Sequence, residues 1–302
     1  MPIPYLGEIA ALFTSLFFSL GPTFFTLAGR EVGSVVVNRA RLVFATLILF
    51  GVHLALFGTL GPFDAAPDRW LWLSLSGVIG LVIGDAMLFQ ALLYIGPRLT
   101  MLVFTVSPVV AALLAFVFQG ETLTTLQLVG MGVTLGGVGW VVTEPGKGPD
   151  APLEPRTYLI GLLLALGGAA GQAVGLFTAR LGMYGDFPTI SAQLMRMLSA
   201  VVLMWLLTFI QRRARFTLTK LIEHPKAVRD IAIATFFGPF LGIFFSLLAI
   251  QHTSLGVAST LQSLPPVFLI PIGYFFFNEK VSLRSIFGTL VALAGVAILF
   301  LV

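Results

Sequence analysis

Asp85 stands more than half way along the apolar segment 70–94, with Gly84 beside it and Gln90 little more than a turn later. A carboxylate at that depth in hydrocarbon costs roughly 3 kcal/mol or more unless it is paired or hydrated. Two readings follow. Asp85 is either a protonatable group facing water, able to couple proton entry to solute exit or to hold a solute amine, or a structural partner of Arg39, Arg41 or a backbone amide. Arg41 and Arg196 lie one to two turns inside the apolar segments 35–56 and 189–210. Snorkelling of each guanidinium to the membrane interface accounts for both. Facing a cavity instead, either would take a solute carboxylate through two parallel N–H donors. Gln90, Tyr94, Gln172 and Gln262 are uncharged groups able to line a path, and each is equally explained as an interhelical hydrogen bond. Pro108, Pro265, Pro266 and Pro271 are expected to bend their helices and so to serve a gate.

Catalysis finds no comparable constellation. The three histidines, His53, His224 and His252, are scattered, there is no Cys, and neither GxSxG nor HExxH occurs. A thiol nucleophile, a cysteine metal site and a disulfide are excluded, no cofactor is expected, and the lack of a Walker A sequence argues against ATP-driven pumping by this chain.

The segments holding these residues are membrane spans. The chain is 58% hydrophobic and 10% charged, with mean hydropathy +1.02, against roughly 25% charged for a soluble domain. About 20 apolar residues cross a bilayer core, and ten such spans are expected: 5–27, 35–56, 70–94, 101–119, 126–142, 158–181, 189–210, 231–251, 255–277 and 283–302. The first is read as a retained helix, because the chain start has no basic region and carries Glu8. Glu8 itself sits where the helix dipole favours a carboxylate. The net charge of +4 is small and concentrated in one loop, so no nucleic-acid partner is expected.

A constant shift of 158 positions superposes residues 80–137 on 238–295 without a gap, and a slight change of offset pairs Arg41 with Arg196. The constant shift places Gly80 on Gly238, Gly84 on Gly242, Pro108 on Pro266, Glu121 on Glu279, Gly130 on Gly288 and Gly137 on Gly295. Gly, Pro and Glu exchange poorly in an apolar chain, so their register marks a duplication. Asp85 falls on Ile243 and has no acidic counterpart. Residues 1–142 form the first repeat, 143–157 a hydrophilic linker and 158–302 the second repeat. Two homologous units of five spans each must face opposite ways across the bilayer, and such inverted repeats place a solute site near the midplane between them. The expected fold is therefore an all-α polytopic membrane protein, ten helices in two inverted five-helix repeats around a central cavity. Glu121 and Glu279, about three residues before the fifth and tenth spans, are read as helix caps.

The segments SPVVAALLAFVFQGETLTTLQLVGMGVTLGGVGWV (107–141) and PPVFLIPIGYFFFNEKVSLRSIFGTLVALAGVAIL (265–299) resemble the drug/metabolite transporter superfamily, in its ten-helix EamA type with two EamA repeats. The second departs from the usual Gly-Glu by carrying Asn278 before Glu279. The resemblance covers essentially the whole chain. It implies a secondary transporter that exports small metabolites by alternating access, amino acids including aromatic ones first among them, with proton coupling through Asp85 an added expectation. A passive facilitator or channel and a multidrug exporter are the alternatives; an intramembrane enzyme is disfavoured.

The expected setting is the plasma membrane of a prokaryote, with lipid and a small-molecule substrate as partners and the chain a monomer. Loops after the odd-numbered spans and their flanks collect 14 of the 17 basic residues, which by the positive-inside rule puts the termini outside the cytoplasm. The family resemblance implies the opposite orientation.

Overall fold

The computed structural model describes residues 5–120, 122–143, 154–185, 187–252, 261–278 and 281–300. Glu121, Glu279 and most of the linker lie outside them, as do residues 253–260 at the start of the ninth span. In chain order the helices are α1 (Leu6–Val32), α2 (Ser34–Phe57), α3 (Pro67–Ser76), α4 (Asp85–Phe104), α5 (Ser107–Gln119), α6 (Thr125–Val142), α7 (Pro155–Gly182), α8 (Thr189–Ile210), α9 (Ala214–Glu223), α10 (Pro225–Thr235), α11 (Ile243–His252), α12 (Pro265–Phe277) and α13 (Leu283–Phe300). Among the described residues, seven stretches are long and apolar enough to cross a bilayer, and three shorter apolar helices accompany them. The sequence predicts the first span to end by residue 27, but α1 continues to Val32 and the turn into α2 is the single residue Gly33, whose φ of 86° suits a residue without a Cβ.

Duplication is visible in the backbone. The helices α5 and α6 become α12 and α13 when 158 is added to their bounds. Between α3 and α4 the helix widens to π geometry over Gly77–Gly84; between α10 and α11 it does so over Phe236–Gly242, so both wide turns end on a matched glycine. The chain leaves α5 through Gly120 at φ 66° and leaves α12 through Asn278 at φ 51°. Asparagine is one of the few residues that tolerate this left-handed position, which explains the departure from Gly-Glu.

The fifth and tenth spans show that the copies are inverted. A Cβ on Gly137 would lie 2.4 Å from the Ala292 nitrogen, and one on Gly295 would lie 2.3 Å from the Thr134 nitrogen. Gly137 and Gly295 are repeat counterparts, and so are Thr134 and Ala292. Each contact is therefore the other rotated by a two-fold axis, and positions rise along α6 as they fall along α13. Backbones approach this closely because nothing but hydrogen fills the contact, the usual source of strong helix association in lipid.

Prolines shape the fourth and ninth spans differently from the expectation. Gly96, with φ 75°, divides α4, so that 97–104 begins the fourth span. That span then breaks at Thr105 and Val106, whose amides bond to Leu102 and Val103 oxygens at 3.1 Å in tight three-residue turns. Pro108 is not inside a bend; it stands in the first turn of α5, where its missing N–H costs nothing. Pro265 and Pro266 likewise start α12, and only Pro271 of the expected set is inside a helix. Pro22 in α1 and Pro239 in the second π segment are interior prolines that periodicity did not single out. The caps also move. Thr124 and Gln127 form a reciprocal capping box on α6, with bonds of 2.9 and 3.2 Å, and Ser282 takes the Ser285 amide at 3.0 Å in the second copy. A cap must immediately precede the first helical residue, and Glu121 is too far upstream.

Candidate functional site

The π turn at Gly77–Gly84 positions the centre of the molecule. Its glycine face packs on α7: a Cβ on Gly175 would meet Gly80 Cα at 3.0 Å, and one on Gly171 would meet Gly84 Cα at 2.7 Å. Gly77 presses on the backbone of Arg196 in α8. Wide turns of this kind free backbone groups and shift side chains from the regular helical stripe. Asp85 is the first residue after this one.

Asp85 pairs with Arg41 through Oδ2 and Nη2. Arg41 Nε also donates to Asn38 Oδ1 at 3.1 Å, and the guanidinium lies 5.0 Å over the Phe89 ring. Phe89 in turn meets Phe25 edge to face at 5.0 Å, so this ring is already engaged. At an offset of 155 rather than 158, which also carries the start of α2 onto that of α8, Arg41 falls on Arg196, and its bonding repeats the same motif: Nη1 donates to Gln193 Oε1 at 2.9 Å, three residues upstream, as Asn38 is upstream of Arg41. Here the likeness stops. Arg196 Nε and Nη2 are buried and make no hydrogen bond among the described residues. A Cβ on Gly80 would stand 3.5 Å from Arg196 Nη2 and 3.7 Å from Gln172 Oε1, so cation and amide oxygen flank the same bare stretch of the third span. Arg196 also feels the charge of Asp85.

Snorkelling is therefore not what these arginines do. Arg41 is 3% exposed, Arg196 6% and Asp85 9%. Side-chain amides three residues upstream and one central carboxylate replace the interface as their environment. Two cations share one anion, because the second repeat carries Ile243 where the first carries Asp85. At this cluster the space between the halves is packed side chains.

The remaining candidates lie apart from this group. Gln90 accepts from Ser34 Oγ at 2.5 Å near the start of α2. Tyr94 packs with Ile95 and Leu162 against the seventh helix. Gln262 takes a 2.8 Å bond from Ser246 Oγ in the eighth span. Near it lies a set of residues that sequence reading passed over. Ser15 and Ser19 on α1 donate to the Leu261 and Pro265 oxygens, the latter at 3.2 Å. In a continuous helix the Leu261 oxygen would accept from residue 265, but proline has no N–H to give. Ser15 supplies a donor in its place, beside the Leu264 amide, which bonds the same oxygen at 3.3 Å. The spacing of Ser15, Ser19 and Thr23 at every fourth residue was the available signal.

A sequence model of the EamA-like transporter family matches residues 5–143 and again 159–301. No curated protein matches the chain. A crystal structure described as "Crystal structure of protein" aligns over 98% of this chain and 96% of its own, with TM-score 0.58 and 17% identity, a likeness of fold. Two matched repeats, the apolar helices and the two-fold contact agree in what they imply: an integral, multi-pass membrane transporter of small molecules. The chain belongs to the EamA-like transporter family.

Proposed function

We propose that this chain is a secondary transporter that exports small carboxylate-bearing metabolites, amino acids including aromatic ones first among them, by alternating access. One observation carries this reading: two repeat-related arginines share a single carboxylate, and among the described residues two nitrogens of Arg196, beside Gln172, have no partner. A buried guanidinium with free donors is a receptor for a carboxylate, and Gln172 Oε1 is an acceptor for a solute N–H. With Arg41 and Asp85 paired, the cluster carries one net positive charge, which disfavours cationic drugs.

Access then requires the third span to slide on α7 and α8, and the bare glycine faces supply a surface for it. The breaks at Val106 and Leu264, matched across the repeats, let the end of each span move separately; Pro108, Pro265, Pro266 and Pro271 hold the segments that move. Asp85 serves coupling in this scheme, since its protonation releases Arg41. Gln90, Tyr94 and Gln262 line the path toward the ends. The functional units are residues 1–142 and 158–302, joined by 143–157, acting as a monomer in a prokaryotic plasma membrane.

Proteoliposome flux tests the reading. Saturable uptake with counterflow of labelled phenylalanine or another amino acid is expected, whereas ohmic, unsaturable flux indicates a facilitator and removes the carrier. Asp85→Asn is expected to abolish gradient-driven accumulation and keep equilibrium exchange; unchanged driven transport rejects the coupling role.

A further inference from the structure

Between the seventh and eighth spans the chain builds a surface helix whose chemistry the transport cycle does not use. Helix α8 ends through Arg212, a non-glycine residue at φ 55°, with Arg213 N bonded to the Thr208 oxygen at 2.9 Å. This left-handed exit turns the chain across the end of the bundle. The ten residues of α9 then extend about 15 Å, too short to cross a membrane. One side of α9 is fixed to the protein: Thr217 is fully buried and accepts a 2.7 Å bond from Arg39 Nη1, and Leu221 packs against the core formed by α1, α2 and α10.

The other side carries cations and apolar groups together. Arg212, Arg213 and Arg215 are exposed, and among the described residues none has a carboxylate partner. Leu218 is 49% and Ile222 79% exposed, one turn apart, and Phe209 and Ile210 at the end of α8 are 63% and 68% exposed. Residues 211–226 hold five basic residues and one acidic, a net charge of +4, which equals that of the whole chain. Arg213 also lies near enough to repel Arg39, whose Nε is buried with no hydrogen-bond partner among the described residues. An excess of positive charge beside exposed aliphatic side chains, on a helix pinned along its back, has the features of an interfacial helix.

We propose that α9 and the arginines before it form a binding site for the phosphate headgroups of anionic phospholipids on this face of the bilayer. Leu218 and Ile222 enter the acyl boundary beside the end of α8. Arg212, Arg213 and Arg215 take phosphate oxygens through paired N–H donors. The lipid anion offsets the repulsion between Arg213 and Arg39 and so holds the α9 contact to Thr217. Neutral lipids share the acyl contact but leave the guanidinium groups without net countercharge.

Native mass spectrometry of the full chain, with equimolar phosphatidylglycerol and phosphatidylcholine of identical acyl chains, tests this. Wild type is expected to retain phosphatidylglycerol with at least about tenfold preference, given the attraction each basic residue adds near an anionic surface. The triple variant Arg212→Gln, Arg213→Gln, Arg215→Gln is expected to lose the preference, while Leu218→Ser with Ile222→Ser lowers retention of both lipids. Equal retention by wild type, or a preference that survives the triple variant, overturns the site. Displacement of phosphatidylglycerol by inorganic phosphate at matched concentration also overturns it, in favour of a free-phosphate site. If the triple variant elutes as aggregate, Arg215→Gln alone and the wild-type comparison decide the matter.

Discussion

Arg41 and Arg196 occupy equivalent places in the two repeats, and among the described residues only Arg41 has a carboxylate bonded to it. Each donates to an amide side chain three residues upstream, so the duplication preserved how the arginines are oriented and broke the symmetry in what they bind.

That difference separates their effects on stability. Arg41→Gln leaves Asp85 buried without its counter-ion, a loss of roughly 3 kcal/mol or more. Arg196→Gln removes a guanidinium with two unsatisfied nitrogens and is expected to change stability by less than about 1 kcal/mol. Thermal unfolding in detergent reads both; comparable losses would show that Arg196 has a structural partner beyond Gln193.

The same pair separates binding from folding. Arg196→Gln is expected to raise KM for a carboxylate-bearing solute at least tenfold, the cost of about 1.4 kcal/mol from one charged hydrogen bond. The methyl ester of that solute should be insensitive to the change. Saturation kinetics in proteoliposomes, acid against ester, give the test, and an equal effect on both would remove the carboxylate contact.

Asp85→Asn is expected to destabilise the fold, and the double change with Arg41→Gln to recover part of the loss, because the uncompensated cation is then gone. A double-mutant cycle on melting temperature measures this. Strict additivity would mean the pair contributes nothing as a pair.

Two neighbouring glycines in α6 give a sharper contrast. Gly137→Ala drives a methyl group into the backbone of Ala292, whereas Gly136 has open space where its Cβ would be. Overpacking of that kind costs about 1–3 kcal/mol or more, while Gly136→Ala should be neutral or slightly stabilising. Equal melting temperatures for the two variants would contradict the two-fold contact.

Ser15→Ala should cost about 1 kcal/mol by leaving the Leu261 oxygen with only the long 3.3 Å bond from the Leu264 amide. In a Pro265→Ala background the cost should fall, since the restored N–H can serve that oxygen. An undiminished effect in the double variant would detach the serine from the proline.

Much of this was legible in residue order because glycine, proline and unbroken apolar length act locally. The shift of 158 anticipated the matching bounds of α5 with α12 and α6 with α13, and the odd number of spans per half required the inversion seen where Gly137 meets Ala292. Other features were hidden. The π turns depend on packing against α7 and α1, and no period in GVIGLVIG announces them. Pro108 reads as a bend in sequence because a proline within an apolar run looks interior until a break places it in a first turn. Asp85 and Arg41 are 44 positions apart, and Arg41 as partner was only one of several structural options. Their distance from water is a property of the assembled bundle. So is the unpartnered state of Arg196: sequence supplied two arginines and one aspartate at membrane depth, and only the tertiary structure decided which arginine the carboxylate would neutralise. The reason is electrostatic. In hydrocarbon the cost of a charge is set by what lies within a few ångströms of it, and those neighbours come from distant parts of the chain.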